Sequence, residues 1–146
     1  MKIVFGSDPN ATDFKYKLMD YVKELGYEVF DLGSDDPIYA NVAIECAKAV
    51  AAKKYDRGIL VCGTGIGVSI AANKVKGAYA ACIHDVYQAQ RAQLSNSANI
   101  ITMGSQVVGI ELAKCMVKEY LSLTFDPNGR SKNKVERIFD FENERQ

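Results

Sequence analysis

At 146 residues, the chain has the length of one compact domain. Eighteen basic residues balance eighteen acidic ones, so the chain lacks the positive charge that binders of nucleic acid or anionic membranes usually carry. No apolar run reaches the roughly 18 residues of a membrane span, and the amino terminus turns polar too early for a secretion signal. These features predict a cytoplasmic single domain over residues 1–146 that binds neither nucleic acid nor membrane.

Short apolar segments alternate with helical patterns along the chain. The alternation predicts an α/β fold, a doubly wound, Rossmann-like five-stranded parallel sheet with helices on both faces. Thr12 or Asp13 is the expected cap of the first helix. The predicted strands are 2–5, 28–31, 57–61, 78–83 and 99–103, and the predicted helices are 12–25, 41–52, 66–73, 86–94, 108–122 and 130–145. The last of these is an extra C-terminal helix, and we expect residues 124–146 to form an arm that packs on a neighbouring subunit.

A glycine-rich segment follows the third predicted strand, which is apolar throughout as a central strand should be. Residues 62–74 read CGTGIGVSIAANK, and ligands of doubly wound sheets bind at such strand ends. A dinucleotide site is one alternative, with Asp85 as the ribose-binding acid. Against it, Val68 stands where a third glycine is needed and the motif does not follow the first strand. A purely structural turn is a second alternative.

The four cysteines show no C-x-x-C spacing, so we expect free thiols and neither a disulfide framework nor a metal site. Cys62 ends a buried strand and directly precedes the glycine loop, where backbone N–H groups favour the thiolate. This placement suits a base. Cys46, Cys82 and Cys115 are predicted to be small buried apolar residues.

Two longer motifs make the chain resemble a known family. Residues 62–74 and residues 99–109 (NIITMGSQVVG) resemble the two signature regions of the ribose-5-phosphate isomerase B and galactose-6-phosphate isomerase family. The resemblance extends over nearly the full length, including G-x-D at 6–8, D-x-G at 31–33 and N-G-R at 128–130. It implies a small doubly wound domain that assembles into homodimers or homotetramers with active sites shared between subunits.

The family's reaction interconverts an aldose phosphate and a ketose phosphate through a cis-enediolate, without a metal or organic cofactor. The resemblance makes Cys62 the base that moves a proton between C1 and C2. It makes Thr64 a stabiliser of the enediolate, together with the amides of Gly63, Gly65 and Gly67.

The resemblance also assigns residues to the remainder of the sugar phosphate. Asp8 and Tyr39 are expected to contact sugar hydroxyls, and Asn96 is expected to contact the substrate of the other subunit. Arg130 is expected to bind phosphate, with Lys134 where the family usually has a second arginine. Lysine keeps the charge but loses the bidentate geometry of a guanidinium.

Two family histidines are missing, since Pro9 and Ser95 stand in their places. The second of them is assigned to opening the furanose ring, which serine cannot do as an acid or base near neutral pH. His84, the only histidine, follows the fourth predicted strand and is a candidate substitute or an ordinary strand-end residue.

Because the ring-opening group is missing, the sequence does not decide which sugar phosphate is the substrate. Ribose 5-phosphate is the family default, and galactose or allose 6-phosphate and erythrulose 4-phosphate are alternatives. A tetrose 4-phosphate needs no ring opening, because its O4 is esterified. Two functions of other classes also stay open, a non-catalytic partner subunit of a hetero-oligomeric isomerase and a nucleotide-binding regulatory module.

Overall fold

The computed structural model describes residues 1–144. Its strands are β1 (Lys2–Ser7), β2 (Glu28–Asp31), β3 (Arg57–Cys62), β4 (Ala80–Cys82) and β5 (Ile100–Gly104). Its α-helices are α1 (Thr12–Glu24), α2 (Tyr39–Ala51), α3 (Ile66–Ala72), α4 (Val86–Leu94), α5 (Ile110–Ser122) and α6 (Lys132–Glu144). Every predicted element is present, with ends that shift by up to two residues; the predicted end of the last helix at 145 lies outside the described residues.

All five strands are parallel and lie in the order β2-β1-β3-β5-β4, which confirms the predicted doubly wound sheet. All six residues of the central strand β3 are buried, as its apolar sequence predicts. The first crossover leads outward from β1 to β2, and the chain then returns to place β3 on the other side of β1. The carboxyl ends of β1 and β3 therefore flank the point where the strand order reverses, where such sheets bind ligands.

The sheet separates two apolar cores, so helices cover both of its faces. On one face Ile3 and Phe5 of β1 pack with Leu18 of α1 and Met116 of α5. On the other face Val4, Leu60 and Val68 pack with Cys46 and Ala47 of α2. This alternation of neighbouring residues between the two faces is the normal consequence of the pleat of a strand.

The extra helix α6 packs on its own chain at the β4 edge of the sheet. Val135 is buried, the ring of Phe139 lies 4.8 Å from the ring of Tyr79, and Tyr79 Oη donates to Glu142 Oε2 at 2.6 Å. Half of the Phe141 side chain is exposed. Packing of residues 124–146 on a neighbouring subunit stays a prediction. Within residues 1–144, none of the helices has both the length and the apolar character to cross a membrane.

Two predictions about individual residues are wrong. The first helix is not capped by Thr12 or Asp13, because a 3-10 turn over Pro9–Ala11 precedes it and Asp8 caps that turn through a 3.0 Å bond from the Ala11 amide. Cys82 and Cys115 are exposed, since one ends the edge strand and the other lies on the outer side of α5. Only Cys46 is the buried apolar residue that we expect, and burial raises the pKa of its thiol to about 12.

Candidate active site

Cys62 is the last residue of β3 and is almost fully buried, with 5% of its surface exposed. Its Sγ accepts a hydrogen bond from the amide of Gly65 at 3.1 Å. This N–H group lies where it can stabilise negative charge on the sulfur. Because α3 has only seven residues, we attribute the stabilisation of charge on the sulfur to this hydrogen bond rather than to the helix dipole.

The hydroxyl of Thr64 lies in the same loop and is oriented by it. Thr64 Oγ1 accepts a hydrogen bond from the Ile66 amide at 3.2 Å. Since the oxygen is used as an acceptor there, the hydroxyl hydrogen can be donated to a ligand. The Thr64 side chain is therefore suited to stabilising a developing negative charge on a substrate oxygen.

The glycine loop is fixed by close packing against the end of β5. Gly65 has a φ of +78°, and a Cβ there would lie 2.7 Å from the Met103 carbonyl carbon. A Cβ at Gly104 would lie 2.6 Å from atoms of Gly63 and Thr64. Sequence reasoning did not single out Gly104 as a site residue, although a glycine at the end of a buried strand is a signal of close backbone approach.

Asp8 and Tyr39 both lie beside this loop. The Asp8 amide donates to the Val61 carbonyl at 3.2 Å, which places Asp8 next to the end of β3. Tyr39 begins α2, and its ring lies so close to Gly67 that a Cβ there would come within 2.4 Å of it. The structure thus brings Asp8, Tyr39 and Thr64 together around the glycine loop that follows β3.

The other predicted substrate-binding residues lie elsewhere in the chain. Asn96 follows α4, and its side-chain Nδ2 donates to the Arg91 carbonyl oxygen at 3.1 Å. Arg130 and Lys134 are exposed at the start of α6, and neither forms an ion pair within residues 1–144. No hydrogen bond or ion pair among the described residues connects these three side chains to the glycine loop of the same chain.

His84 and Asp85 occupy the turn between β4 and α4. His84 is exposed, and its backbone amide donates to Gln88 Oε1 at 2.8 Å. Asp85 caps α4 by accepting a hydrogen bond from the Gln88 amide at 2.7 Å. Asp85, the residue that a dinucleotide site would need to bind ribose, therefore has a structural role as the cap of α4.

Comparisons with known proteins agree with this geometry. The model of the Ribose/Galactose Isomerase family matches residues 3–138. The chain is 45% identical to D-erythrulose-4-phosphate isomerase 2 of Mycolicibacterium smegmatis, over 97% of both chains. It is 44% identical to ribose-5-P isomerase B of Listeria innocua, over 93% of both chains. A solved structure of ribose-5-phosphate isomerase B from Clostridium thermocellum superposes with a TM-score of 0.93 at 39% identity, over the full length of both chains. The chain therefore belongs to the ribose/galactose isomerase family, and close relatives of the chain are sugar-phosphate isomerases of the aldose–ketose class.

Proposed function

We propose that this chain isomerises a four-carbon sugar phosphate, such as D-erythrulose 4-phosphate, with Cys62 as the base. We assign Cys62 as the base because its Sγ accepts a hydrogen bond from the Gly65 amide. This hydrogen bond holds the sulfur at the carboxyl end of the central strand, beside the oriented hydroxyl of Thr64. A poised base next to hydrogen-bond donors is what proton abstraction beside a carbonyl requires.

In the proposed reaction the Cys62 thiolate removes a proton from C1 of the ketose, and the electron pair of that C–H bond forms the enediolate. The Thr64 hydroxyl and the loop amides at Gly63 and Gly67 stabilise the charge on its oxygens. A proton then passes from O1 to O2 of the enediolate, and Cys62 returns the carbon-bound proton to C2 as the C1=O bond forms, which yields the aldose. Loss of a single such donor typically costs about 10²–10³ in rate.

Asp8 and Tyr39 bind the sugar hydroxyls in this account. One carboxylate oxygen of Asp8 caps the 3-10 turn, so the second is the one that can accept from a hydroxyl. The Tyr39 ring covers the start of α3 through its contact with Gly67 and limits the room above the loop.

We also propose that a second copy of the chain completes the site with its Asn96, Arg130 and Lys134, as a homodimer or homotetramer. Apolar side chains surround the glycine loop, and Ile66, Ile70 and Val107 are each more than half exposed. Such an exposed apolar group favours burial against a partner subunit.

We also propose that the chain works in the cytoplasm, because its four free cysteines suit the reducing environment there.

Position 95 is the reason for choosing a four-carbon substrate. Ser95 cannot protonate a ring oxygen near neutral pH, and its Oγ already accepts a hydrogen bond from Arg91 at 2.7 Å. The imidazole of His84 makes no hydrogen bond within residues 1–144 that would orient it toward a substrate. A tetrose 4-phosphate has no furanose form, so it avoids the step for which these residues are poorly suited. Ribose 5-phosphate is the second candidate, because this chain is nearly as similar to ribose-5-P isomerase B of Listeria innocua as to D-erythrulose-4-phosphate isomerase 2 of Mycolicibacterium smegmatis.

A panel of four-, five- and six-carbon sugar phosphates tests the proposal directly. We expect kcat/KM for erythrulose 4-phosphate to exceed that for ribose 5-phosphate, and we expect Ser95→His to raise kcat/KM for ribose 5-phosphate relative to that for erythrulose 4-phosphate. If His84→Ala abolishes turnover of ribose 5-phosphate alone, His84 performs ring opening and the argument from Ser95 fails. If the purified chain is inactive on all substrates, the role of a non-catalytic partner subunit is favoured instead.

A further inference from the structure

A partly buried arginine faces a small cavity beside α4. Arg91 is in the last turn of that helix and lines a cavity of about 180 Å³, together with Cys82, Gln88 and Asn96. Cys82 Sγ lies 3.9 Å from the Thr64 carbonyl oxygen, so this cavity opens at the same edge of the sheet as the glycine loop.

Both ends of Arg91 are held in place. Its Nε donates to Ser95 Oγ at 2.7 Å, and its carbonyl oxygen accepts from the Asn96 side chain at 3.1 Å. The two terminal Nη groups form no hydrogen bond or ion pair within residues 1–144. These Nη groups carry four of the five N–H donors of a guanidinium. The side chain is therefore oriented and charged, and residues 1–144 offer its Nη groups no acceptor.

The other arginines of the described chain differ from Arg91. Arg57 donates both Nη groups to carbonyl oxygens at the end of α5, and Arg137 pairs with Glu144. Arg130 is exposed at the surface. Only Arg91 combines partial burial, a fixed Nε and free terminal donors. This arrangement is suited to a bidentate bond with a phosphate or another oxyanion.

We propose that Arg91 is a further substrate-binding residue, which binds the phosphate of the sugar phosphate with its Nη groups, and that Ser95 is its positioning residue. This inference rests on the proposed function. In a sugar 4-phosphate the phosphate is attached only two carbons away from C2, so a cation at the sheet edge of the glycine loop can bind it in addition to Arg130 and Lys134. Asn96, which holds the Arg91 backbone and which we assign to the site shared between two copies, lines the same cavity, so Arg91 acts with Asn96 in that shared site.

A purely structural role is the competing explanation, because a cation in the last turn of a helix stabilises that helix. Lys48 in the last turn of α2 provides the matched control, since it is exposed and lies outside the proposed site. A structural role predicts that Arg91→Gln and Lys48→Gln both change the melting temperature and leave anion binding as it is.

Titration of the full chain with inorganic phosphate, followed by calorimetry, separates the two explanations. We expect Arg91→Gln to weaken phosphate binding at least about tenfold and to raise KM more than it lowers kcat. Ser95→Ala should weaken binding less, because the guanidinium remains but loses its orientation, and Lys48→Gln should leave binding unchanged. Phosphate affinity in Arg91→Gln equal to that of the parent would overturn the proposal.

Arg91→Lys covers the case in which Arg91→Gln does not fold, which circular dichroism would reveal. Lysine keeps the charge and loses the second donor group, so we expect an intermediate affinity for phosphate; parental affinity in this variant would again overturn the proposal. If the parent turns over no sugar phosphate, the proposed function fails. The phosphate titration then still decides the role of Arg91, because it does not depend on turnover.

Discussion

The backbone amide of Gly65 lies 3.1 Å from Cys62 Sγ, and Gly65 can reach that position only because it has no side chain. Its φ of +78° is unfavourable for other residues, and a Cβ would lie 2.7 Å from the backbone of β5. We therefore expect Gly65→Ala to shift the loop, to lower the melting temperature and to lower kcat by at least about tenfold. The left-handed conformation alone costs an alanine about 1–2 kcal/mol.

Gly109→Ala is the matched control for this prediction. Gly109 has an ordinary negative φ of −69°, and a Cβ there meets nothing within 4 Å. Gly109 is the N-cap residue of α5, where alanine is less favourable than glycine, so its variant should lose some stability, but less than Gly65→Ala, and should keep the kcat of the parent. Parental activity in Gly65→Ala would show that the position of the Gly65 amide is unimportant for Cys62.

The attachment of α6 should weaken at high pH through Tyr79. Burial, and then the hydrogen bond to Glu142, raise the pKa of Tyr79 well above its usual value of about 10. Because the folded chain holds this proton more tightly than the unfolded chain, the stabilisation is complete below pH 10 and is lost as the pH rises beyond it. Urea unfolding at about pH 8 and about pH 11 should show a smaller loss of stability in Tyr79→Phe than in the parent.

Tyr87→Phe provides the reference for this pH experiment, since 70% of Tyr87 is exposed. We expect this variant to lose as much stability as the parent between the two pH values. Equal losses in Tyr79→Phe and Tyr87→Phe would contradict the role of the bond between Tyr79 and Glu142.

The sequence was sufficient to predict the sheet and the centre of the site. Residues that follow predictable strand ends, such as Asp8 and Cys62, do meet at one edge of the sheet, because parallel strands bring their carboxyl ends together. The resemblance predicts that Tyr39 and Gly67 belong to the same site. It does not predict that they touch, because the contact depends on how α2 packs beside α3.

The bond between Arg91 and Ser95 was not predicted. Its spacing of four residues is common on any helix, and nothing in the sequence indicates that the pair faces a cavity. Similarly, the capping role of Asp8 depended on an unpredicted 3-10 turn, which Pro9 initiates. Such features are decided by side-chain packing rather than by hydrophobic periodicity.

Mixing two inactive variants tests whether subunits share active sites. If Cys62 of one copy works with Arg130 of another, a dimer of Cys62→Ala with Arg130→Ala has one site with both substitutions and one intact site. Because loss of Arg130 chiefly weakens substrate binding, activity is measured well below the parental KM, where random exchange of subunits should restore about a quarter of the parental activity. Activity that stays at the sum of the two separate variants would show that each site belongs to one chain.

The turnover number of Cys62→Ala on erythrulose 4-phosphate tests the central claim most directly. The substitution removes the sulfur that accepts the Gly65 hydrogen bond, and it removes little buried volume, so the fold should remain intact. We expect kcat to fall by at least about two orders of magnitude, the usual contribution of a general base, while circular dichroism and the melting temperature stay close to those of the parent. A folded Cys62→Ala variant with kcat near the parental value would contradict the assignment of Cys62 as the base.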